Sequence, residues 1–230
     1  MRYPKDQKDK TRQQILEAAA RVFRRHGFQA GSVDVVMKEA GLTAGGFYAH
    51  FESKAALFAE AILGTLRNGT VVYGRDTPDL EGAERVRSIA GKYLSPAHRE
   101  HIDQGCVLPP LLADLPRQEE SVRCEFEKVL AEAASGLAVP AATDADPEAQ
   151  SPADPDQGWA VLAMLVGGMS LARAVADKDL SDRILLACRS FLDRAVGAAS
   201  PEPESPQPDR STSVSGSVSP APSSRRRKSP

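Results

Sequence analysis

Apolar residues recur at intervals of three and four along most of the chain, the period of helices that each bury one face. Val33, Val36 and Ala40 form one such face, with Asp34, Lys38 and Glu39 on the other side. Ser32 can cap this helix, and Asp34 complements its dipole in the first turn. Gly41 stands where it must stop, because glycine takes the left-handed conformation that ends helices. Leu42 then turns inward, and Thr43 can cap a second short helix from Ala44 to about His50. Ser53 opens a further helix to about Leu66, with Leu57, Ala61 and Leu66 on one stripe and Phe58 and Ile62 on another. Leu80 to Leu94 repeats the period through Val86, Ile89, Ala90 and Tyr93 until Pro96 ends it. Val107 to Leu115 is a short apolar piece containing Pro109 and Pro110, and Arg117 to Leu137 is amphipathic through Val122, Phe126, Val129 and Leu130.

Two helices close the folded part. Trp159 to Ala176 is apolar nearly all round, and Asp182 to Val196 carries Ile184, Leu185, Cys188, Phe191, Leu192 and Ala195 on one face. Between them and the preceding helices, 140–156 turns to Ala, Asp, Pro and Gln and predicts a flexible acidic loop. Residues 200–230 are rich in Pro and Ser, end in a basic run at Arg225, Arg226, Arg227 and Lys228, and cannot bury a core. The pattern predicts an all-α protein.

The turn between Ala40 and Ala44 invites a functional reading. Gly45 and Gly46 in the first turn of a short helix each cost up to about 1 kcal/mol relative to alanine. Close approach to something large and rigid, such as the floor of a DNA major groove, is one reason for that cost. A helical corner in which the glycines only relieve crowding is the alternative that the local pattern leaves open.

The residues around the turn resemble a known family. TRQQILEAAARVFRRHGF, a first helix ending at His26-Gly27-Phe28, is followed by SVDVVMKEAGLT and by GGFYAHFESKAALFAEAI. Together, from Thr11 to Leu63, they resemble the DNA-binding domain of the TetR/AcrR family of bacterial one-component regulators, and the block GxFYxHFxSKxxLF is specific to it. LSPAHREHIDQGCVLPPLLADL is similar, more weakly, to a segment of one branch that carries a Gly-Cys pair in its ligand domain. The resemblance implies a three-helix helix-turn-helix domain followed by a helical ligand-binding and dimerisation domain. The boundaries expected are a basic arm at 1–10, the reader at 11–52 and the ligand-binding and dimerisation domain at 53–199. It also implies roles. Ser32, Tyr48, His50 and Lys54 fall where the family touches phosphates, and Thr43, Ala44, Gly46 and Ala49 where its third helix meets base edges, with Val33 in the same DNA-facing set. Ala44 and Ala49 can touch thymine methyls but donate no bidentate hydrogen bonds, so close fit and DNA shape are expected to carry part of the specificity. Met37, where many helix-turn-helix proteins keep a small residue, is adaptable enough to fit.

Charge divides in agreement. The net charge of the 230 residues is −2, yet residues 1–63 hold 10 Lys and Arg against 7 Asp and Glu, and the remainder 19 against 24. The positive excess therefore falls on the expected reader, led by Arg2, Lys5, Lys8, Lys10 and Arg12. The charged start predicts no signal peptide, and the apolar run from Trp159 to Ala172 is shorter than the roughly 20 residues that span a bilayer. Cys106, Cys124 and Cys188, odd in number and in no paired motif, are expected to be reduced thiols. A cytoplasmic protein with no membrane partner is expected.

The last two helices are expected to form a four-helix interface with a second copy through Leu165, Gly168, Leu171, Leu185, Phe191 and Leu192, with Gly167 and Gly168 letting a partner approach. The alternative is that the apolar helix is simply the central core of one subunit. A homodimer implies double-stranded DNA with a palindromic operator as partner, and the resemblance implies release by a small-molecule inducer. Tyr93, His98, His101, Cys106, Leu108, Leu111, Leu112, Phe126, Trp159 and Met164 are candidates to line its pocket, or merely core. Some members of the resembling branch sense electrophiles or oxidants through cysteine, and His98, Arg99 and His101 would lower the Cys106 thiol pKa if they fold back onto it. The ligand types of His98, His101, Asp103 and Cys106 match no known metal spacing, so no metal is expected. Nor is an enzyme or a cofactor: there is no nucleophile elbow, and Gly45-Gly46 lacks the preceding strand and following Gly-Lys-Ser/Thr of a phosphate loop.

Overall fold

In the computed structural model, residues 5–68, 79–140, 142–143, 146–150 and 154–197 are described. The tail from Pro201, Arg2 of the arm and part of the acidic stretch lie outside the described residues. The described chain is helical throughout apart from one small hairpin. Its helices are α1 (Lys5–Ala30), α2 (Val33–Glu39), α3 (Lys54–Asn68), α4 (Gly82–Tyr93), α5 (Pro96–Glu100), α6 (Leu108–Leu111), α7 (Glu120–Ser135), α8 (Pro155–Ala174) and α9 (Lys178–Ala195), with 3-10 turns at Ala44–Ala49 and Leu115–Arg117.

The first three helices wrap one apolar centre. Ile15, Ala18, Ala19, Val22 and Phe23 of α1 are buried with Val36 and Met37 of α2, Phe47 and Phe51 around the 3-10 turn, and Leu57, Phe58 and Ile62 of α3. Phe23, Phe28 and Phe58 meet edge-on or tilted, with ring centroids 4.7–6.3 Å apart. At Gly27 (φ 72°) the backbone of α1 leaves helical geometry, which sets the direction of Phe28.

Later boundaries move where polar residues cap helices. Pro96 does end α4, but Ser95 accepts from the His98 N–H and Pro96 takes the first position of α5, a helix the apolar period did not predict. Asp154 with Pro155 starts α8 earlier than Trp159, and Asp177, accepting from the amides of Asp179 and Leu180, starts α9 earlier than Asp182. Within the stretch expected to be a loop, Ala142–Thr143 pairs antiparallel with Asp146–Gln150. Helix α8 is central: it packs on α4, α5, α6, α7 and α9 and buries Val161, Leu162, Leu165, Val166, Met169 and Ala172. No helix among the described residues is long and apolar enough to cross a membrane.

Candidate nucleic-acid interface

The turn is built as its residues dictate. Ser32 Oγ accepts from the Val35 N–H at 3.3 Å and caps α2, leaving its own hydroxyl proton free to donate. At the other end Gly41 (φ 69°) donates to Lys38 O and Leu42 to Met37 O, the pair of bonds that satisfies the last carbonyls of a helix. Thr43 occupies the capping position of the next element without making a capping bond, so its exposed hydroxyl stays available. That element is a 3-10 turn rather than an α-helix, in keeping with the weak helix propensity of Gly45 and Gly46. Phe47 and Phe51, stacked at 5.8 Å, anchor it from beneath.

What the anchor lifts into solvent is the expected set. Thr43, Ala44, Gly45, Tyr48 and Ala49 are exposed, Tyr48 at 75%, while Ser32, Val33, Gly46, His50 and Lys54 are half-buried around them. Lys54 Nζ donates to Gln29 O at 3.2 Å and lies 4.5 Å from the Phe28 ring centre, which fixes its ammonium at the rim with further N–H groups to offer. His50 is held below its ordinary pKa, first by burial and then by the charges of Lys8 and Arg12, and its Nδ1 is buried without a partner. Arg12 lies over the Phe51 ring and pairs with Glu60. The start of α1 thus adds Lys8 and Arg12 to this rim. Nothing local in the sequence links them to His50, some forty positions away.

The residues expected to form a sensor separate. Tyr93 and Cys106 come together, Tyr93 Oη lying against the thiol without a well-aligned hydrogen bond. His101 instead faces its own helix, its Nδ1 2.7 Å from Ala97 O; Phe126 is buried on α7, and Trp159 is 43% exposed on α8. The expected lowering of the Cys106 pKa is reversed. Burial pushes the thiol up, more strongly than Tyr93, the Leu108 N–H, Arg24 and Arg173 draw it down. His98 cannot help, because both its ring nitrogens are taken: Nδ1 donates to Tyr93 O at 2.7 Å and Nε2 accepts from the Cys106 N–H at 3.0 Å. Those partners require the neutral Nδ1–H tautomer. Arg99 pairs with Asp182 and Ser181. Gly105 explains the Gly-Cys pair physically, since a Cβ there would stand 2.7 Å from the His98 ring. Among the described residues no group of three or more His, Cys, Asp or Glu could hold a metal ion.

The segments after α5 and after α6 also clasp the end of α1, which sequence reasoning missed. Arg24 Nη1 donates to Asp103 O at 3.2 Å, Arg25 pairs with the Asp103 carboxylate at 2.7 Å, and the Phe28 N–H donates to Asp114 Oδ2 at 2.9 Å. Partners 78 to 86 positions apart leave no periodic signal.

Of the residues expected at a dimer interface, Leu165, Leu185 and Leu192 point into their own subunit, and Gly168 packs against Cys188 of α9. Leu171 and Phe191 are exposed at 59% and 52%. Gly167 has open space before it, unlike Gly168, so only the first of the two faces outward.

Residues 15–61 match the family described as bacterial regulatory proteins, tetR family. The chain is 41% identical over 58 residues to the uncharacterized HTH-type transcriptional regulator YfiR of Bacillus subtilis (strain 168), covering 25% of this chain and 28% of the relative. It is likewise 41% identical over 59 residues to the HTH-type transcriptional regulator AcrR of Shigella flexneri, covering 26% and 27%. The matched stretch is thus little more than a quarter of the length of these relatives. A TetR transcriptional regulator from Chloroflexus aurantiacus J-10-FL superposes with a TM-score of 0.63 at 18% identity, over 84% of this chain and 98% of that one, a likeness of fold. Its fold is an N-terminal helix-turn-helix domain followed by a helical domain, as here.

Proposed function

We propose that this chain is a member of the tetR family acting as a homodimeric DNA-binding transcription regulator, a repressor that holds a palindromic operator and is released by a small molecule. The observation that carries the reading is the face at Thr43–His50. A buried pair of phenylalanines lifts Tyr48, Thr43 and two alanines into solvent inside a rim of Lys8, Arg12 and Lys54 with the His50 ring among them, in a stretch that matches the family. Ser32, Tyr48, His50 and Lys54 fix register on phosphates, and Thr43, Ala44, Gly46 and Ala49 meet base edges with Val33 beside them. The reader spans 11–52 and the regulatory helices 53–199.

Dimerisation is supported by where the exposed apolar surface lies. Of the nine large hydrophobic residues exposed among the described residues, Trp159, Leu171, Leu180, Leu186 and Phe191 belong to α8 and α9. A second copy packed on these two helices would cover them and set two readers side by side on successive major grooves. Ligand binding would then act by favouring one spacing of the readers over another, by no more than its difference in affinity for the two.

The test is fluorescence anisotropy on DNA flanking the gene against scrambled DNA across a salt series, with sedimentation of Leu171→Asp/Phe191→Asp in parallel. Binding that prefers the native fragment and is lost in Tyr48→Ala, with a wild-type dimer that the double variant splits, is expected. Equal, weak, salt-erased binding to both fragments overturns the regulator reading, and an unchanged dimer overturns the interface.

A further inference from the structure

A cleft of about 490 Å³ opens between α1, α3 and the Asp103–Val107 segment, within the roughly 300–1,000 Å³ of small-molecule sites. Apart from Cys106, none of the pocket residues expected from sequence lines it. Its apolar wall is Leu16, Ala20, Ala61, Leu66 and Val107, and Gly64 leaves room in the middle of α3.

Arg24 in this wall is the anomaly. It is only 9% exposed, its one hydrogen bond goes to the neutral carbonyl of Asp103, and its Nε is buried without a partner. Burial accordingly holds its pKa below the ordinary arginine value. The Asp103 charge acts on Arg24 but is shared, since that carboxylate pairs with Arg25, while Glu60 pairs with Arg12 and Glu39 with Arg21. Glu17, the remaining acid of the lining, is exposed and takes the Gln13 amide, so solvent screens it. A buried charge calls for a counter-charge, and the open side of this one is a cleft with apolar walls.

We propose that the cleft binds a small amphipathic carboxylate, its anionic head on Arg24 and its apolar body along Leu16, Ala20 and Ala61. The inference rests on the chain being a ligand-released regulator, and it supplies a place and a chemical class for that ligand. The head group competes with the Asp103 carbonyl for Arg24. Occupancy therefore alters the clasp that ties the reader's first helix to the segment after α5. The site is separate from the interior around Tyr93 and Phe126, where the ligand was expected.

The test uses octanoate and its neutral isostere octanamide on the full chain, reading binding by calorimetry and by the thermal unfolding midpoint. Wild type should bind octanoate saturably and octanamide at least roughly tenfold more weakly, the scale of a hydrogen bond to a charged group. Arg24→Met should lose the preference. Because that variant can be less stable, Gly64→Leu is the second arm: Gly64 lines the cleft and nothing lies within 4 Å of a Cβ there, so the larger side chain is expected to occupy the cleft, with the thermal midpoint checking that the fold holds. Equal binding of the two ligands, no binding of octanoate, or octanoate binding that Gly64→Leu leaves untouched overturns the proposal. Operator anisotropy on the same samples keeps the two readings apart. Operator binding without octanoate binding defeats the cleft alone; octanoate bound through Arg24 by a protein indifferent to DNA defeats the regulator reading alone.

Discussion

The face at Thr43–His50 and the knot around Cys106 bury polar groups to different extents, with one atom lacking a partner on the face, His50 Nδ1, against three in the knot. On the face, buried phenylalanines hold small or exposed side chains outward, and the capping bonds of Ser32, Gly41 and Leu42 settle the backbone. In the knot, Arg24 Nε, Tyr93 Oη and Arg173 Nη1 are buried without partners beside a thiol whose pKa burial has raised. A surface proposed to meet a partner keeps most of its chemistry in water until the partner arrives. An interior carrying unmatched polar atoms stores a bias toward rearrangement, because each such atom costs about 1–3 kcal/mol until something satisfies it. The contrast teaches where binding and where regulation are expected to reside.

The largest effect should come from Gly46→Leu on the face. A Cβ at Gly46 meets only Met37 Cε at 3.8 Å, so the thermal midpoint should hold. If the turn sits against bases as proposed, operator affinity should fall at least about a hundredfold, because one lost fit of this kind costs up to ~3 kcal/mol. Anisotropy and a thermal melt read the two halves. A variant with unchanged operator affinity would mean that the turn does not sit against bases.

Gly105→Val is the matching change in the knot, and there the loss should be of stability. Its Cβ would fall 2.7 Å from the His98 ring and 3.1 Å from His101 O, so ring or backbone must shift, and overpacking of this kind costs about 2 kcal/mol. A urea midpoint equal to wild type would show that the knot is looser than its distances imply.

The two regions also differ in how far they could be read from sequence. The face lies within 23 consecutive residues whose period, cap and turn glycine are local, so Ser32 and Gly41 could be read from the pattern, while Tyr48 was implied by the family resemblance. Even there, Thr43 suggested a cap it does not make, and Lys8 and Arg12 joined the rim through the packing of α1. The knot and clasp draw on α1, α4, α5, the segment after it, and α8. No spacing rule joins Arg24 to Asp103 or Phe28 to Asp114. Helical period likewise identified α8 but not which of its sides faces inward, because that helix is apolar nearly all round. Leu165 and Leu171 look alike in sequence and lie on opposite sides.

Asp114→Ala tests whether clasp and face communicate. Removing the acceptor of the Phe28 N–H should cost about 1 kcal/mol and speed exchange of that amide. If the clasp couples the regulatory helices to the reader, operator affinity or its response to ligand changes as well. Faster exchange with both unchanged would make the contact structural only.

The smallest effect is a slope with pH. His98 is held below its ordinary value near 6.5, chiefly by burial and further by Arg173, against the opposing pull of the Tyr93 carbonyl. Its surroundings favour the neutral ring: the Cys106 amide needs Nε2 as an acceptor, and Arg173 donates to the His98 carbonyl at 2.7 Å. As pH falls through about 6.5 the unfolded chain takes up a proton that the folded protein refuses. Stability is therefore full above that value, declines as pH drops toward the depressed folded pKa, and levels off below it. His50, depressed for a similar reason, adds a contribution of the same sign. Urea midpoints at about pH 7.5 and 5.5 should fall for wild type, less for His98→Phe, and least for His98→Phe combined with His50→Gln. A single His98→Phe variant that kept the whole slope would assign the acid sensitivity to the face and leave the knot without a titrating group.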